Sequence, residues 1–276
     1  DGAIAGVITD KGTYHCDAAI IATGGMSYPL TGSTGDGYEL ASSVGHSIVE
    51  LRPSLIPLET KEHWVKDLMG LSLKNVEVSI IAKNKVQAKQ FGEMLFAHFG
   101  VTGPIILSAS HTVTKLLKKQ VDPIIIEINL KPDLSREVLD KRVQRDFSES
   151  QNKQLVNVLK GLLPSRLIPV ICQLAELEGT KAIHDITKEE RLRLVDTIQH
   201  MRLTVHKPRP IAEAIVTAGG ISVKEVDPKT MQSKLVNGLY MAGEVLDVDA
   251  FTGGYNLQVA FSTAYVAATH AAEGGV

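Results

Sequence analysis

The sequence predicts an α/β protein in which one domain is interrupted by another. Three observations carry this. Near the C-terminal end the apolar run Leu239-Tyr240-Met241-Ala242 reads as a buried strand that stops at Gly243. An acidic loop follows, and Gly253-Gly254 opens a helical run of small residues from Gln258 to Ala272, read as a tightly packed helix. Near the N-terminal end a second strand runs into Ala22-Thr23-Gly24-Gly25. Between them the pattern changes to alternating β-formers and then to helical periodicity, with prolines at both borders. The expected division is residues 1–56 and 207–276 as two parts of one domain, with 57–206 inserted as a β-barrel and a helical module.

Composition narrows the class. With 276 residues, 44% hydrophobic and 22% charged, the chain has length for roughly two domains and enough apolar content for a core. A net charge of -2 and 5% aromatic residues argue against a nucleic-acid partner, because phosphates are met by cations and bases by stacking. No apolar run is long enough to span a bilayer, so no membrane partner is expected. Cys16 and Cys172 form no paired motif and read as small buried hydrophobes in a reducing compartment, which points to the cytoplasm. The helical insert has no metal-ligand spacing, and no metal is expected.

In chain order, residues 3–9 and 13–22 read as strands joined by the turn Thr9-Asp10-Lys11-Gly12. The small residues Ala22, Thr23, Gly24 and Gly25 permit close approach of a ligand. Thr34 and Gly37 flank Asp36, which reads as the N-cap of a helix over 37–45, and such a helix start can hold a phosphate oxygen. Pro53 and Pro57 mark the border of the insert. Val76, Val78, Ile80 and the run 121–130 read as strands of a small barrel or antiparallel sheet. His98 lies between Phe96 and Phe99; histidine as a residue type suits acid or base work, and a lone histidine among aromatics also serves as packing. Helices are expected over 135–147, 155–163 and 165–176, and from 189 to 201 behind a capping box at Thr187 and Glu190. Lys207 and Arg209, in the border loop, are cations available to an anionic ligand. At the C-terminal end Glu244 and Asp247 can accept hydrogen bonds from sugar-like hydroxyls, and Gly253-Gly254 lets a flat ring approach the backbone.

Three stretches in order carry a resemblance: residues 16–25 with 34–37, residues 92–104 (GEMLFAHFGVTGP), and residues 238–264 (GLYMAGEVLDVDAFTGGYNLQVAFSTA). With these the chain resembles the BaiN/RdsA (YhiN-like) family of FAD-dependent flavoproteins over essentially its whole length. The resemblance implies a Rossmann-like FAD-binding domain, FAD as cofactor and NAD(P)H as electron donor. It implies that Ala22, Thr23, Gly24, Gly25, Thr34, Asp36, Gly37, Gly219, Gly220 and Gly243 contact the cofactor. Glu244 and Asp247 would bind its ribityl or ribose hydroxyls, and Gly253, Gly254, Tyr255, Asn256 and Leu257 would lie at the isoalloxazine. His98 and Tyr255 are the catalytic candidates on the substrate side. The implied activity is a dehydrogenase-like hydride transfer between a nicotinamide donor or small organic substrate and FAD, either reducing an unsaturated ketone or oxidising a small amine. The Gly-x-Gly-x-x-Gly that opens such proteins is not in the sequence, so a chain lacking the first Rossmann unit is expected. The alternative function is then a catalytically silent fragment or a binding or assembly domain.

Overall fold

The structure, a computed structural model, describes residues 2–273. The first elements are β1 (Gly6–Thr9), β2 (Gly12–His15), β3 (Ala19–Ile21), α1 (Asp36–Ser43) and β4 (Ile48–Ser54). Next come β5 (Leu58–Thr60), β6 (Ser72–Ala82), β7 (Lys85–Ala97), β8 (Gly100–Thr102), α2 (Pro104–Lys118) and β9 (Ile124–Asn129). Helices α3 (Arg136–Ser148), α4 (Leu155–Leu159), α5 (Ile168–Leu174) and α6 (Lys188–Gln199) follow. The chain ends with β10 (Met201–Pro208), β11 (Val216–Ile221), β12 (Leu239–Met241) and α7 (Tyr255–Glu273). They fall into two compact units, Pro57–Pro208 and Asp1–Ile56 with Arg209–Val276.

In the unit Pro57–Pro208, strand pairing runs β10-β5-β8-β7-β6-β9, and β9 returns to β10. The long ladders join β6 to β7 and to β9. Alternation decides what they bury: Val76, Val78 and Ile80 of β6 and Ile124, Ile126 and Ile128 of β9 point into the core. Glu127 points the other way and accepts from Arg202 Nε at 2.8 Å. Helix α2 starts at Pro104 because Gly103 turns the chain at φ 94, where an added Cβ would stand 2.9 Å from Met94 Cα. Helix α3 is capped by Ser135 Oγ, which accepts from Val138 N. Helix α6 begins with the complete capping box, Thr187 Oγ1 accepting from Glu190 N and Glu190 Oε2 accepting from Thr187 N. Leu139 and Val143 of α3 and Leu194, Val195 and Ile198 of α6 complete one continuous apolar core.

The other unit contains three separate two-stranded ladders: β1 with β2, β4 with β11, and β3 with β12. Of these only β3 with β12 is parallel. The strand expected over 13–22 breaks after His15, because the chain leaves the exposed β1–β2 hairpin and re-pairs, Ala19 N donating to Gly238 O at 2.9 Å. Cys16 sits at that break and is only partly buried, unlike the buried Cys172. After Arg209 the chain makes a single helical turn over 211–213 before β11 begins at Val216.

The expected fold class is therefore corrected in the discontinuous unit. No Rossmann-like sheet forms among the described residues of the discontinuous unit; the β4–β11 ladder stays open and two-stranded. In the insert, the six strands β10-β5-β8-β7-β6-β9 close on themselves as an antiparallel barrel. The ring is completed by β5 and β8, three residues each and paired with each other at two positions. Alternation along a sequence reports that a strand has one buried face, but not how many partners it finds. Helix α7 also departs from its expected tight packing. Only Ala267 is fully buried, and Leu257, Phe261 and Tyr265 are exposed along one stripe.

Ile126 is fully buried, opposite Ile80 and Leu203 on its two neighbouring strands. Ile126→Ala is expected to destabilise the protein by about 3 kcal/mol through lost apolar burial and a residual cavity. A urea unfolding curve reads this directly, and a change below about 1 kcal/mol would mean the site collapses or is not core.

Candidate functional site

In the discontinuous unit, a cavity of about 380 Å³ is bordered by Ile215 and Val216, by Glu244, and by Phe251, Gly253, Gly254, Asn256 and Leu257. Its wall is largely apolar, with one carboxylate. Gly253 and Gly254 precede α7 at φ 116 and 88, a backbone region that side chains rarely enter. At Gly254 a Cβ would meet no atom within 4 Å, so here the glycine leaves open space beside the cavity. The helix begins with Gln258 N donating to Gly254 O, which leaves the amides of its first turn without helical partners. The Asn256 side chain closes the preceding loop, accepting from Ala250 N and donating to Ala250 O, both at 2.9 Å.

Glu244 is anchored from beneath. Its Oε1 accepts from Thr217 N at 2.7 Å. Thr217 is fully buried in β11, and its Oγ1 accepts from Met26 N at 2.8 Å and lies 3.0 Å from Ser27 Oγ. Gly25 is a glycine for this reason: a Cβ there would overlap Thr217 Oγ1 and stand 2.7 Å from Glu244 Oε1.

The other expected site residues divide. Gly253, Gly254, Asn256, Leu257 and Glu244 share the cavity wall, and Tyr255, next to them, is exposed. Gly243, at φ 80, donates its N–H to Thr263 Oγ1 of α7. The Asp247 carboxylate has no partner among the described residues, while its backbone N donates to Ile221 O. Gly219 and Gly220 are buried, and their missing Cβ atoms make room for Glu50 O and for Val245 O, so backbone crossing explains them. Gly37 is likewise filled from within, by Thr23 Oγ1. Asp36 is not the cap of α1: Gly35 holds that position at φ 94, and Asp36 accepts from Thr34 Oγ1 at 2.8 Å. Ala22 and Thr23 are exposed, and Gly24 has φ 75. Arg209 is engaged with Glu213, Nε to Oε2 at 2.9 Å and Nη2 to Oε1 at 2.7 Å. His98 belongs to the unit Pro57–Pro208, on the turn between β7 and β8, exposed and edge-on to Phe99 with ring centres 5.0 Å apart.

Two groups escaped sequence reasoning. Tyr38, on α1, is buried, and its hydroxyl has no hydrogen-bond partner in the structure. Its phenol is pushed up to about 12, first by burial and then by the charge of Glu244. Burial next to a carboxylate is a tertiary fact that an isolated tyrosine in a helix does not announce. His46 is also buried, with Nε2 2.8 Å from Ser233 Oγ and Nδ1 3.2 Å from Glu225 Oε2, the latter without the alignment of a hydrogen bond. This Ser-His-Glu order is structural. Ser233 Oγ already accepts from Leu235 N and Val236 N, and the serine is buried. Among the described residues no three His, Cys, Asp or Glu side chains converge on a metal position, and no helix is long and apolar enough to cross a membrane.

A family model described as "HI0933-like protein barrel and H2TH domain" matches residues 52–216. The chain belongs to the HI0933-like family. This is the BaiN/RdsA family of FAD-binding oxidoreductases that the sequence motifs resemble. The chain is 29% identical over 264 residues to a 3-dehydro-bile acid delta(4,6)-reductase of Clostridium scindens, covering 96% of this chain and 64% of that protein. It is 32% identical over 257 residues to a ribosomal RNA dihydrouridine synthase of Haemophilus influenzae, covering 92% and 60%. To the enzyme of that name in Escherichia coli it is 30% identical over 256 residues, covering 93% and 61%. The chain thus spans under two thirds of the length of these relatives. Two HI0933-like relatives named for RNA overturn the exclusion of a nucleic-acid partner. A net charge of -2 is an average over the chain, and it conceals any local concentration of cations.

A raised phenol pKa means that the folded state holds the Tyr38 proton more tightly than the unfolded state. This group therefore leaves stability unchanged below its ordinary value near 10 and erodes it as pH climbs to about 12. Tyr38→Phe is expected to flatten stability across that window relative to wild type. At neutral pH it should cost less than about 1 kcal/mol, since no hydrogen bond is lost. Urea midpoints at a series of alkaline pH values check this; identical pH slopes for the two proteins would refute it.

Proposed function

We propose that this HI0933-like chain is the flavin-facing part of an FAD-dependent reductase that saturates a carbon–carbon double bond conjugated to a carbonyl, with RNA-borne uracil as substrate. The observation that carries the reading is the apolar cavity of about 380 Å³ beside Glu244, the open glycines and the free first turn of α7. The names of the relatives support the chemistry. Making dihydrouridine saturates the uracil ring next to a carbonyl, and a delta(4,6)-reductase of a 3-dehydro bile acid acts on double bonds conjugated to a ketone. The two RNA-named relatives favour uracil over a steroid.

The groups present fit the ring and ribityl part of the cofactor. When bound, FAD supplies the hydride, with NAD(P)H as its reductant. In this reading Gly253 and Gly254 admit the flat ring to the backbone, and the amides of Tyr255, Asn256 and Leu257 hold its electron-rich edge at the positive end of α7. Glu244, held by Thr217 N–H, and the unpartnered Asp247 accept from ribityl hydroxyls. Gly24, Thr23 and Ala22, exposed or open at the end of β3, border the path of the remaining cofactor. Tyr255 gives the proton taken up by the carbon beside the carbonyl.

Titration of the chain with FAD, followed by flavin fluorescence, tests the binding half. Wild type is expected to bind, and Gly254→Val to bind at least about tenfold more weakly, because a β-branched residue fits neither the backbone angle nor the ring approach. No binding by wild type would overturn the reading. For the chemistry, Tyr255→Phe in the full-length enzyme should slow reduction of a uracil-containing ribosomal RNA fragment about 100-fold with FAD affinity unchanged. An unchanged rate would remove Tyr255 from proton transfer, and turnover of a steroid enone in place of RNA would replace the substrate assignment.

A further inference from the structure

Helix α3 has two electrostatic characters. On one side its charges are matched: Arg136 donates to Asp196 at 2.7 and 3.1 Å, and Asp140 accepts from Arg191 at 2.8 Å. On the other, Val138, Lys141, Arg142 and Arg145 follow one another at helical spacing and, with Leu134, border a groove of about 480 Å³. Here a single carboxylate, Asp146, serves two guanidinium groups, Arg142 at 2.9 Å and Arg145 at 3.3 Å. The Lys141 ammonium has no ion pair among the described residues.

Lys131, on the connection from β9 to α3, extends the positive surface. It is partly buried, and its ammonium is pushed below its usual range, first by burial and then by the guanidinium of Arg142. It too has no ion pair among the described residues. Lys131 also borders a second groove, of about 280 Å³, together with Ser72, Pro164 and Lys74, whose ammonium forms an exposed ion pair with Glu93 at 3.6 Å. A half-buried ammonium held near a guanidinium without its own carboxylate is unfavourable unless an anion joins it. A merely solvated face has no need of that arrangement, and the matched side of the same helix lacks it.

We propose that the track Lys74, Lys131, Arg142, Lys141 and Arg145 binds the phosphodiester backbone of an RNA substrate. The proposal rests on the RNA reading above and names the surface that serves it. Arg142 and Arg145, oriented by Asp146, offer planar donor forks to phosphate oxygens, and Lys131 and Lys141 act as point charges beside them. Leu134 and Val138 line the groove with apolar surface against which sugars can lie. Such contacts set position on the RNA without reading its sequence.

The experiment is fluorescence anisotropy of the chain with a labelled ribosomal RNA hairpin over a series of KCl concentrations. Wild type is compared with Lys141→Gln/Arg145→Gln, with Lys131→Met, and with Lys11→Gln on the exposed β1–β2 turn as a control. The double variant is expected to bind at least about tenfold more weakly and to lower the salt slope by about 2, and Lys131→Met to lower it by about 1. Lys11→Gln should match wild type. Circular dichroism melts show whether each variant is folded, and Lys131→Met keeps the buried stem, so one folded arm decides the matter. Wild-type affinity and slope in both track variants would overturn this surface while leaving the RNA reading intact. A wild-type chain that binds no RNA at any salt would overturn the RNA reading itself.

Discussion

Thr217 sits where three distant segments of the discontinuous unit meet. Its hydroxyl takes the amide of Met26, 191 residues away in sequence, and its own amide holds the carboxylate of Glu244. Both bonds are sheltered, because Thr217 is fully buried. A buried donor left without a partner costs about 1–3 kcal/mol, so each segment is held to the others by a penalty for leaving. The cavity wall inherits its order from this point: Glu244 cannot turn without freeing the β11 amide, and the turn at Gly25 cannot move outward without freeing Met26 N.

The glycines of this unit show how little space such a junction leaves. Gly25, Gly37, Gly219 and Gly220 are each filled from within by a hydroxyl or a carbonyl. Gly254 differs, since nothing stands where its Cβ would be. The same residue type therefore has two physical meanings. Most of these glycines let the protein pack against itself, and Gly254 leaves room for something else. Gly254 also borders the cavity, so the start of α7 is a place where a ligand can approach the backbone.

The unit Pro57–Pro208 solves a different problem. Long antiparallel ladders bury the isoleucine and valine face of β6 and β9, and helices α3 to α6 pack into the same core. Its outer surface is free to carry charge. Matched pairs occupy one side of α3, while on the other Arg142 and Arg145 share one carboxylate and Lys141 has no ion pair among the described residues, which a chain-wide sum of charges cannot express. The mistaken exclusion of nucleic acid came from that sum.

Much of this was legible in the residues. The serine cap of α3, the capping box of α6, the strand before Gly243, the alternation in β6 and β9 and the glycine pair ahead of α7 follow from local rules of period, backbone angle and donor satisfaction. These depend on neighbours within a few positions, so the sequence by itself determined them, and the motifs that mark the family lie in the same local stretches. The tertiary structure decided the rest. It decided that the described strands of the discontinuous unit pair in twos and form no Rossmann-like sheet among the described residues, that Gly35 and not Asp36 precedes α1, and that Gly219 and Gly220 serve a backbone crossing. It also decided that Tyr38 lies buried under the charge of Glu244 and that Lys131 stands beside Arg142. Each of these depends on which distant atom occupies a given space, and no period or propensity along the chain encodes that.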